Sequence, residues 1–176
     1  MGIDFFFYGT LVDAEIRRLV LGREVPDAAM RAALLPEHRR YSVQGQPYPA
    51  TVPEAGATTD GVIMSGASLQ DAAILSCFEG QDYDAVARRV TIPKIGAASV
   101  DELLEPTAWV FIASERVARD RGEWSIDDWR AEHKPAFLAI ANRWLDGINA
   151  DDIKKEERRW RQRLGALSNQ PGANGS

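Results

Sequence analysis

The sequence predicts an α+β fold in which a sheet is folded on itself or partly covered by helices. Strand-like segments dominate the first two-thirds of the 176 residues, whereas helical patterns gather towards the end. Such segregation of strands and helices along a chain is typical of α+β proteins. The length of 176 residues favours one domain, and 45% hydrophobic residues suffice for a core.

The first strand is predicted at residues 3–8, a short aromatic run that ends at Gly9. A helix follows, because Asp13 is a favourable N-cap and apolar residues recur on one face up to Leu21. Gly22 is expected to end this helix. The chain must therefore turn sharply between strand and helix.

The next segment is expected to add strands separated by a loop. Residues 27–35 are predicted as a short helix or as a turn that leads into a strand, and residues 39–45 as a strand. The prolines of residues 46–56 predict a loop, because proline cannot donate to a central ladder. Glycines bound a further strand at residues 61–66.

A capping box predicts the second helix. Ser68 and Asp71 have the required spacing, so we expect a helix from there to about Phe78, with Gly80 after its end. Residues 85–95 are then typical of a long strand.

The last third is predicted to contain one more strand and a long helix. Residues 97–106 are expected to form a turn-rich connection and residues 107–113 a strand. Ser125 and Asp128 form another capping box, from which a long amphipathic helix is predicted. Its inward-facing residues recur every three or four positions, at Trp129, His133, Phe137, Ile140, Trp144 and Ile148.

A charged extension is predicted beyond the domain. We assign residues 1–149 to the domain and residues 150–176 to the extension. Residues 151–164 are expected to form a helix with a thin apolar edge at Ile153, Trp160 and Leu164. Trp160 leaves two interpretations open, a surface for a protein partner or part of a solvated helix. Residues 168–176 contain little to bury and are predicted to be disordered.

The overall composition narrows the class of function. A net charge of −5 argues against a nucleic-acid surface, and no apolar run approaches the roughly 20 residues of a membrane span. The N-terminus lacks the basic and apolar segments of a secretory signal. The single cysteine, Cys77, fits a reducing compartment. We therefore expect a cytoplasmic protein that binds neither nucleic acid nor membrane.

The corner at Gly9 is the first candidate site. Glycine lets the backbone approach another molecule closely, and the next amides, of Thr10 and Leu11, lie near the start of a helix. Free N–H groups in such a position bind a carboxylate or a phosphate. A tight strand-to-helix turn, with the threonine making a local hydrogen bond, explains the same residues.

Glu79 is the second candidate. It follows Leu75 and Phe78 at the end of an apolar helix face, so desolvation is expected to raise its pKa. A carboxyl group with a pKa near neutrality can accept a proton and later return it. A solvated carboxylate at a helix end is the alternative.

Three short motifs together resemble a known family. Tyr-Gly-Thr-Leu (8–11) follows the first strand, Tyr-Pro-Ala (48–50) follows in a loop, and Phe-Glu-Gly-x-x-Tyr (78–83) comes about 70 residues after the first motif. This order is similar to that of the gamma-glutamylcyclotransferase-like superfamily, and in particular of its AIG2-like branch. The resemblance covers about residues 3–148 and includes the helical segment 122–137.

The resemblance implies a small mixed β-barrel flanked by helices, with a cavity at one end. It implies that Glu79 is the general acid/base and that no cofactor or metal takes part. The implied substrate-binding residues are Tyr8, Gly9, Thr10, Leu11, Tyr48, Pro49 and Tyr83. The motif of residues 8–11 would hold the glutamyl carboxylate, chiefly through backbone N–H groups.

The resemblance also implies a reaction. The α-amine of a γ-glutamyl compound attacks its own side-chain amide, which gives 5-oxoproline and a free amine or amino acid. Two alternatives keep the fold: a non-catalytic protein that binds or senses a small ligand, and a different acyl transfer in the same pocket. The expected partner is a small γ-glutamyl molecule, and a protein partner at the C-terminal helices is left open.

Overall fold

A computed structural model describes residues 2–93, 103–120 and 122–168. The strands in these ranges are β1 (Ile3–Phe7), β2 (Met30–Ser42), β3 (Pro49–Ala67), β4 (Tyr83–Arg89) and β5 (Thr107–Ala113). The α-helices are α1 (Ala14–Leu21), α2 (Leu69–Glu79), α3 (Ile126–Glu132), α4 (Lys134–Asp146) and α5 (Ala150–Ser168). None of these described helices is both long enough and apolar enough to cross a membrane.

The strands form one mixed sheet in the order β2-β3-β1-β5-β4. β1 runs parallel to β5, with Phe5 opposite Trp109, and the other neighbours are antiparallel. The predicted α+β class with flanking helices is confirmed. The sheet is not closed into a barrel, however. Between the β2 edge and the chain after β4, the described residues form one isolated antiparallel bridge, Leu34 with Thr91, and no continuous ladder.

The proline-rich segment is part of β3, so the predicted loop at residues 46–56 is wrong from Pro49 onwards. The strand pairs with β1 only near its end, from Val62 to Ala67. Before that it pairs along one side with β2, where Pro49 lies opposite Ser42. The prolines thus occupy a stretch in which one side of the strand forms no ladder. A missing N–H is tolerated there, as it is in an edge strand.

Alternation along β1 distributes its aromatic rings over two cores. Phe5 and Phe7 pack with the helices on one face of the sheet. Phe6 and Tyr8 pack on the opposite face with residues such as Leu35. Successive side chains of a strand point to opposite faces, and both faces are covered here. This is why the run is apolar without interruption and ends where the chain leaves the sheet.

The predicted N-cap residues are confirmed, although the reciprocal capping box expected at Ser125 and Asp128 is only a single N-cap hydrogen bond. The Asp13 carboxylate accepts the N–H groups of Glu15 and Ile16, and Ser68 and Asp71 form a reciprocal capping box at the start of α2. At the start of α3 the Ser125 hydroxyl accepts the N–H of Asp128. Each cap satisfies backbone donors that have no partner inside the helix.

Two predicted elements were too long. The single helix expected from Ser125 to Ile148 is two helices, which meet at His133, where the backbone departs from helical geometry. Pro135 lies in the first turn of α4, where a residue without an N–H is tolerated. Strand β4 ends at Arg89, short of the predicted 85–95.

Two further predictions fall largely outside the described residues. They are the turn-rich connection at residues 97–106 and the disordered tail at residues 168–176, whose positions 97–102 and 169–176 the structure does not describe.

Helix α5 packs into the main core through Trp160. Its indole ring is fully buried and lies 4.8 Å from the ring of Trp109 and 5.3 Å from that of Phe5, measured between centroids. Its Nε1–H donates to the Ser76 hydroxyl of α2 over 2.8 Å. Neither sequence interpretation of Trp160 anticipated a core residue.

Candidate active site

A large open cavity lies where β1 ends, and its volume is about 1010 Å3. The turn after β1, the C-terminal end of α2, the start of β4 and residues of α4 and α5 line it. All the residues that the sequence analysis selected line this cavity: Tyr8, Gly9, Thr10, Leu11, Tyr48, Pro49, Glu79 and Tyr83. The structure therefore brings together motifs that are far apart in the sequence.

The turn after β1 presents unpaired backbone donors. Residues 10–12 form a short 3₁₀ turn, in which Val12 N–H donates to the Gly9 carbonyl and Asp13 N–H donates to the Thr10 carbonyl, both over 3.0 Å. Within the described part of the chain, no acceptor meets the N–H groups of Thr10 and Leu11. These two buried residues line the cavity, so the turn has the donors that a carboxylate requires.

Arg17 fixes the second half of this turn. Its guanidinium group donates from Nη1 to the carbonyls of Leu11, over 2.8 Å, and Val12, over 2.6 Å. Every carbonyl from Gly9 to Val12 thus accepts a hydrogen bond, which sets the orientation of the peptide planes between them. Asp13 meanwhile occupies the donors of α1, so the free donors of this corner belong to the turn alone.

Gly9 is required by a close approach to Pro49. A Cβ at position 9 would lie 3.0 Å from Cγ and 3.2 Å from Cδ of that proline ring. The backbone of Gly9, with φ of −119°, is not left-handed, so space rather than strain explains the glycine. The two motifs that the sequence separates by almost 40 residues are thus in direct contact.

Glu79 is the last residue of α2, and its carboxyl group is enclosed by protein atoms although the cavity leaves part of it accessible. Burial raises the pKa of Glu79 to about 8. The direction agrees with the expectation from the apolar helix face. Gly80 then turns the chain away with φ of 77°, and its N–H donates to the Ser76 carbonyl over 3.1 Å.

Two tyrosines beside Glu79 are anchored by their hydroxyl groups. Tyr8 donates to the Phe111 carbonyl over 2.6 Å, and Tyr83 donates to the Pro49 carbonyl over 3.2 Å. Burial raises the pKa of both phenols, and the negative charge of Glu79 raises it further. Both side chains are therefore neutral at physiological pH and act as fixed parts of the cavity.

Aromatic rings form the rim. Tyr48 is half-buried and meets the Trp144 ring edge-on, with centroids 5.9 Å apart. Trp144 also contacts Phe78 and Phe137, at 5.7 Å and 5.9 Å, and 39% of its surface remains exposed. This tryptophan was predicted as a packing residue of a long helix, whereas it lies on the cavity.

Four basic residues of α4 and α5 line the cavity and were not predicted as site residues from the sequence. Arg143 of α4 and three residues of α5, Lys155, Arg159 and Arg163, line the cavity. The α5 residues are spaced four apart, which places them on one helix face. That spacing was visible in the sequence, but nothing in it showed that this face would turn towards the first strand.

The described residues contain no group of three or more His, Cys, Asp or Glu side chains that could hold a metal ion. The prediction of a reaction without cofactor or metal stays a prediction.

Comparison with known proteins places these features in a family. The model of the family described as "Gamma-glutamyl cyclotransferase, AIG2-like" matches residues 5–131, which is more than half of the chain. The chain belongs to this family. The match includes the turn after β1, Tyr48, Pro49, Glu79 and Tyr83, and it ends before α4 and α5.

Relatives and solved structures agree with this assignment. The chain is 28% identical over 144 residues to AIG2-like protein D of Arabidopsis thaliana, covering 82% of this chain and 90% of that protein. It resembles the solution structure of another Arabidopsis thaliana protein, with a TM-score of 0.57, 21% identity and coverage of 86% and 90%. A structure named "Gamma-glutamyl cyclotransferase" matches with a TM-score of 0.50, 13% identity and coverage of 90% and 99%. At these identities the solved structures support the fold alone.

Proposed function

We propose that this protein is a γ-glutamyl cyclotransferase that releases 5-oxoproline and an amine or amino acid from a small γ-glutamyl compound. One observation carries the proposal: Glu79, whose pKa is raised to about 8, lines the same cavity as the unpaired N–H groups of Thr10 and Leu11. Family membership supports the reaction class, and the arrangement supplies the two chemical roles that the reaction needs.

The first role is orientation of the substrate. The α-carboxylate of the γ-glutamyl group binds the N–H groups of Thr10 and Leu11, and this directs the neighbouring α-amine towards the γ-carbonyl carbon. The nucleophile is already part of the substrate, so the protein has mainly to select the conformer that closes a five-membered ring. Orientation of this kind contributes on the order of 7–11 kcal/mol in well-aligned intramolecular reactions.

The second role is proton transfer by Glu79. Its carboxylate accepts a proton from the α-ammonium group, and the freed amine attacks the γ-carbonyl carbon. Glu79 returns the proton to the leaving nitrogen as the carbon–nitrogen amide bond breaks. Over the whole reaction two protons leave the attacking nitrogen and two reach the leaving nitrogen, so the products are 5-oxoproline and a protonated amine. A carboxyl with a pKa near neutrality suits both directions of transfer.

The remaining selected residues shape this site. Tyr83 and Pro49 hold each other through the hydroxyl–carbonyl hydrogen bond, and Pro49 in turn contacts the Gly9 corner. The Tyr8 hydroxyl donates to the Phe111 carbonyl of β5, which holds the Tyr8 ring in the cavity lining. These contacts hold the turn that carries the N–H donors and two tyrosines of the cavity lining in fixed positions, as a preorganised site requires.

The test is the release of 5-oxoproline from γ-glutamyl amino acids and γ-glutamyl amines, followed by mass spectrometry. We expect Glu79→Gln to lower kcat/KM by about 10²- to 10⁴-fold, the usual contribution of a general acid/base. Glu24→Gln is the matched control, because Glu24 is exposed and its carboxylate forms a surface ion pair with Arg18 over 3.5 Å, away from the cavity. It should leave the rate unchanged.

Full activity of Glu79→Gln would overturn the mechanism. Binding of γ-glutamyl compounds by the folded wild-type protein without any release of 5-oxoproline would instead favour the non-catalytic alternative. A non-cyclic acyl product would favour a different acyl transfer in the same cavity.

A further inference from the structure

Four basic side chains of α4 and α5 line the cavity. Lys155, Arg159 and Arg163 occupy one face of α5, and Arg143 of α4 joins them. Of these, Arg159 already pairs with Glu156 on its own helix. Within the described residues, no carboxylate forms an ion pair with the other three. The cavity therefore has basic groups that are not neutralised by an ion pair among the described residues.

Arg163 is the most informative of these residues. Its guanidinium carbon lies 5.1 Å from the centroid of the Trp160 ring, so one face of the cation is stacked. Its Nη1 atom is buried and has no acceptor among the described residues. A buried donor without an acceptor is unfavourable. Because Nη1 is enclosed by protein atoms, neighbouring side chains must move for a ligand oxygen to reach it, and that oxygen would then remove the penalty and form a charge-assisted hydrogen bond.

The Trp160 ring on which Arg163 stacks is held in place by its surroundings. Trp160 is fully buried, and its Nε1–H is bound by the Ser76 hydroxyl over 2.8 Å. A guanidinium group stacked on such a ring keeps its edge free for planar recognition of a carboxylate. Arg163 is thus oriented before any ligand binds.

Acidic side chains also line this cavity, and their positions define where an anion would bind. Asp152 of α5 accepts the Asn149 N–H over 3.2 Å at the helix start, about three turns before Arg163. Asp82 and Asp84 flank Tyr83 at the start of β4. Glu156 of α5 also lines the cavity and pairs with Arg159, so Arg143, Lys155 and Arg163 are the basic residues of the lining that can meet an added negative charge.

The cavity also has room for a second group. A volume of about 1010 Å3 is at the upper end of the range for pockets that hold drug-sized molecules. A γ-glutamyl group bound at the turn after β1 would leave much of this volume for whatever is attached to its side-chain nitrogen.

We propose that the basic face of α5, with Arg163 at its C-terminal end, is a subsite for a carboxylate carried by the leaving amine. The preferred substrates are then γ-glutamyl amino acids or peptides rather than γ-glutamyl amines without an anionic group. The proposal rests on the cyclotransferase function proposed above. It assigns a role to a helix that lies outside the family match.

A pair of substrates that differ only in charge tests the subsite. We would compare γ-glutamyl-alanine with γ-glutamyl-alaninamide in wild type, Arg163→Gln and Arg158→Gln. We expect the wild type to prefer the acid by about ten-fold or more in kcat/KM, as the loss of one charge-assisted hydrogen bond implies. Arg163→Gln should reduce this preference to about two-fold by slowing the acid alone. Arg158→Gln, an exposed residue of α5 outside the cavity lining, should retain it.

A second variant keeps the test decisive if Arg163→Gln is unstable. Lys155→Gln changes an exposed, cavity-lining residue and should lower the preference for the acid by a smaller factor. Equal kcat/KM for both compounds in the wild type, or an unchanged preference in both variants, overturns the subsite and leaves the cyclotransferase function intact.

Failure of the cyclotransferase function is a separate outcome. If neither compound gives 5-oxoproline, titration calorimetry measures their binding to the wild type and to Arg163→Gln. Tighter binding of the acid, abolished in Arg163→Gln, supports the carboxylate subsite without cyclisation. Equal affinity for both compounds, or no binding of either, overturns it.

Discussion

Two parts of the cavity lining, called here the first and the second side, come from different parts of the sequence. On the first side, the turn after β1, Glu79 and Tyr83 supply backbone donors and one carboxyl group, and all lie within the family match at residues 5–131. On the second side, α4 and α5 supply long cationic and aromatic side chains beyond that match. The proposed acid/base chemistry on the first side depends on backbone N–H groups and a carboxyl group that the fold holds in place. Recognition of the leaving group on the second side, as proposed above, depends on side chains of one helix face. A helix face can change its residues without disturbing the turn that we propose to bind the glutamyl group.

The largest expected effect tests whether the second side is integral to the fold. Trp160→Ala should lower the free energy of unfolding by about 3–5 kcal/mol, because it removes a fully buried ring and its hydrogen bond to Ser76. Trp144→Ala is the control on α4, and a residue that is 39% exposed should cost clearly less. Equal losses in urea unfolding would show that α5 contributes little to the core.

The next effect concerns the titration of Glu79 on the first side. The pKa of Glu79 is about 8 in the folded protein against an ordinary value of 4.5, so folding takes up a proton between these pH values. The contribution of Glu79 to stability is full below pH about 4.5 and is lost as the pH rises through about 8. We expect the free energy of unfolding to fall by about 2–4 kcal/mol more in wild type than in Glu79→Gln over this window.

Urea unfolding of both proteins at a series of pH values measures this difference. Parallel pH profiles of wild type and Glu79→Gln would show that the carboxyl group is solvated, and the proposed acid/base role would lose its physical basis.

A smaller effect tests the close contact within the first side. Gly9→Ala places a methyl group against the Pro49 ring, at 3.0 Å and 3.2 Å from two of its carbons, so the corner or the proline must shift. We expect kcat/KM for 5-oxoproline release to fall by about ten-fold, since misplacement of a positioning group by tenths of an ångström lowers the rate.

Gly165→Ala on α5 is the matched control. Nothing lies within 4 Å of a Cβ at that position, and alanine favours a helix over glycine. This variant should be as active as the wild type. Unchanged kinetics of Gly9→Ala would mean that the contact with Pro49 does not position the turn.

The smallest effect concerns the hydroxyl group of Tyr83. Tyr83→Phe removes its hydrogen bond to the Pro49 carbonyl, which should cost about 1 kcal/mol of stability and raise KM. Tyr41→Phe is the control, because the Tyr41 hydroxyl binds Glu54 outside the cavity, so its loss should leave KM unchanged. Thermal unfolding and steady-state kinetics of both variants make the comparison.

Local features of the fold could be predicted from the sequence because their causes are local. The N-cap at Asp13 and the capping box of Ser68 and Asp71 involve residues two or three positions apart. The strand at residues 3–7 was visible because both of its faces are buried. The raised pKa of Glu79 followed from its place at the end of an apolar helix face.

Features that depend on distant partners could not be predicted. The prolines of β3 looked like loop residues, because only the pairing shows that this stretch has a neighbour on one side. Trp160 looked like a surface residue in a charged helix, and its burial depends on Trp109 in another element. The gathering of the site residues was predicted through the family resemblance, and the basic face of α5 lay outside that resemblance.

The hydrogen bonds of the turn after β1 have a consequence for ligand affinity. Arg17 and the backbone already hold the four carbonyls from Gly9 to Val12. An arriving carboxylate therefore meets a preorganised set of donors and does not have to freeze a mobile loop, so little conformational entropy opposes its capture. In the proposed function, a modest number of contacts to the glutamyl end would then suffice for useful affinity, and the other end of the substrate would decide which compound is preferred.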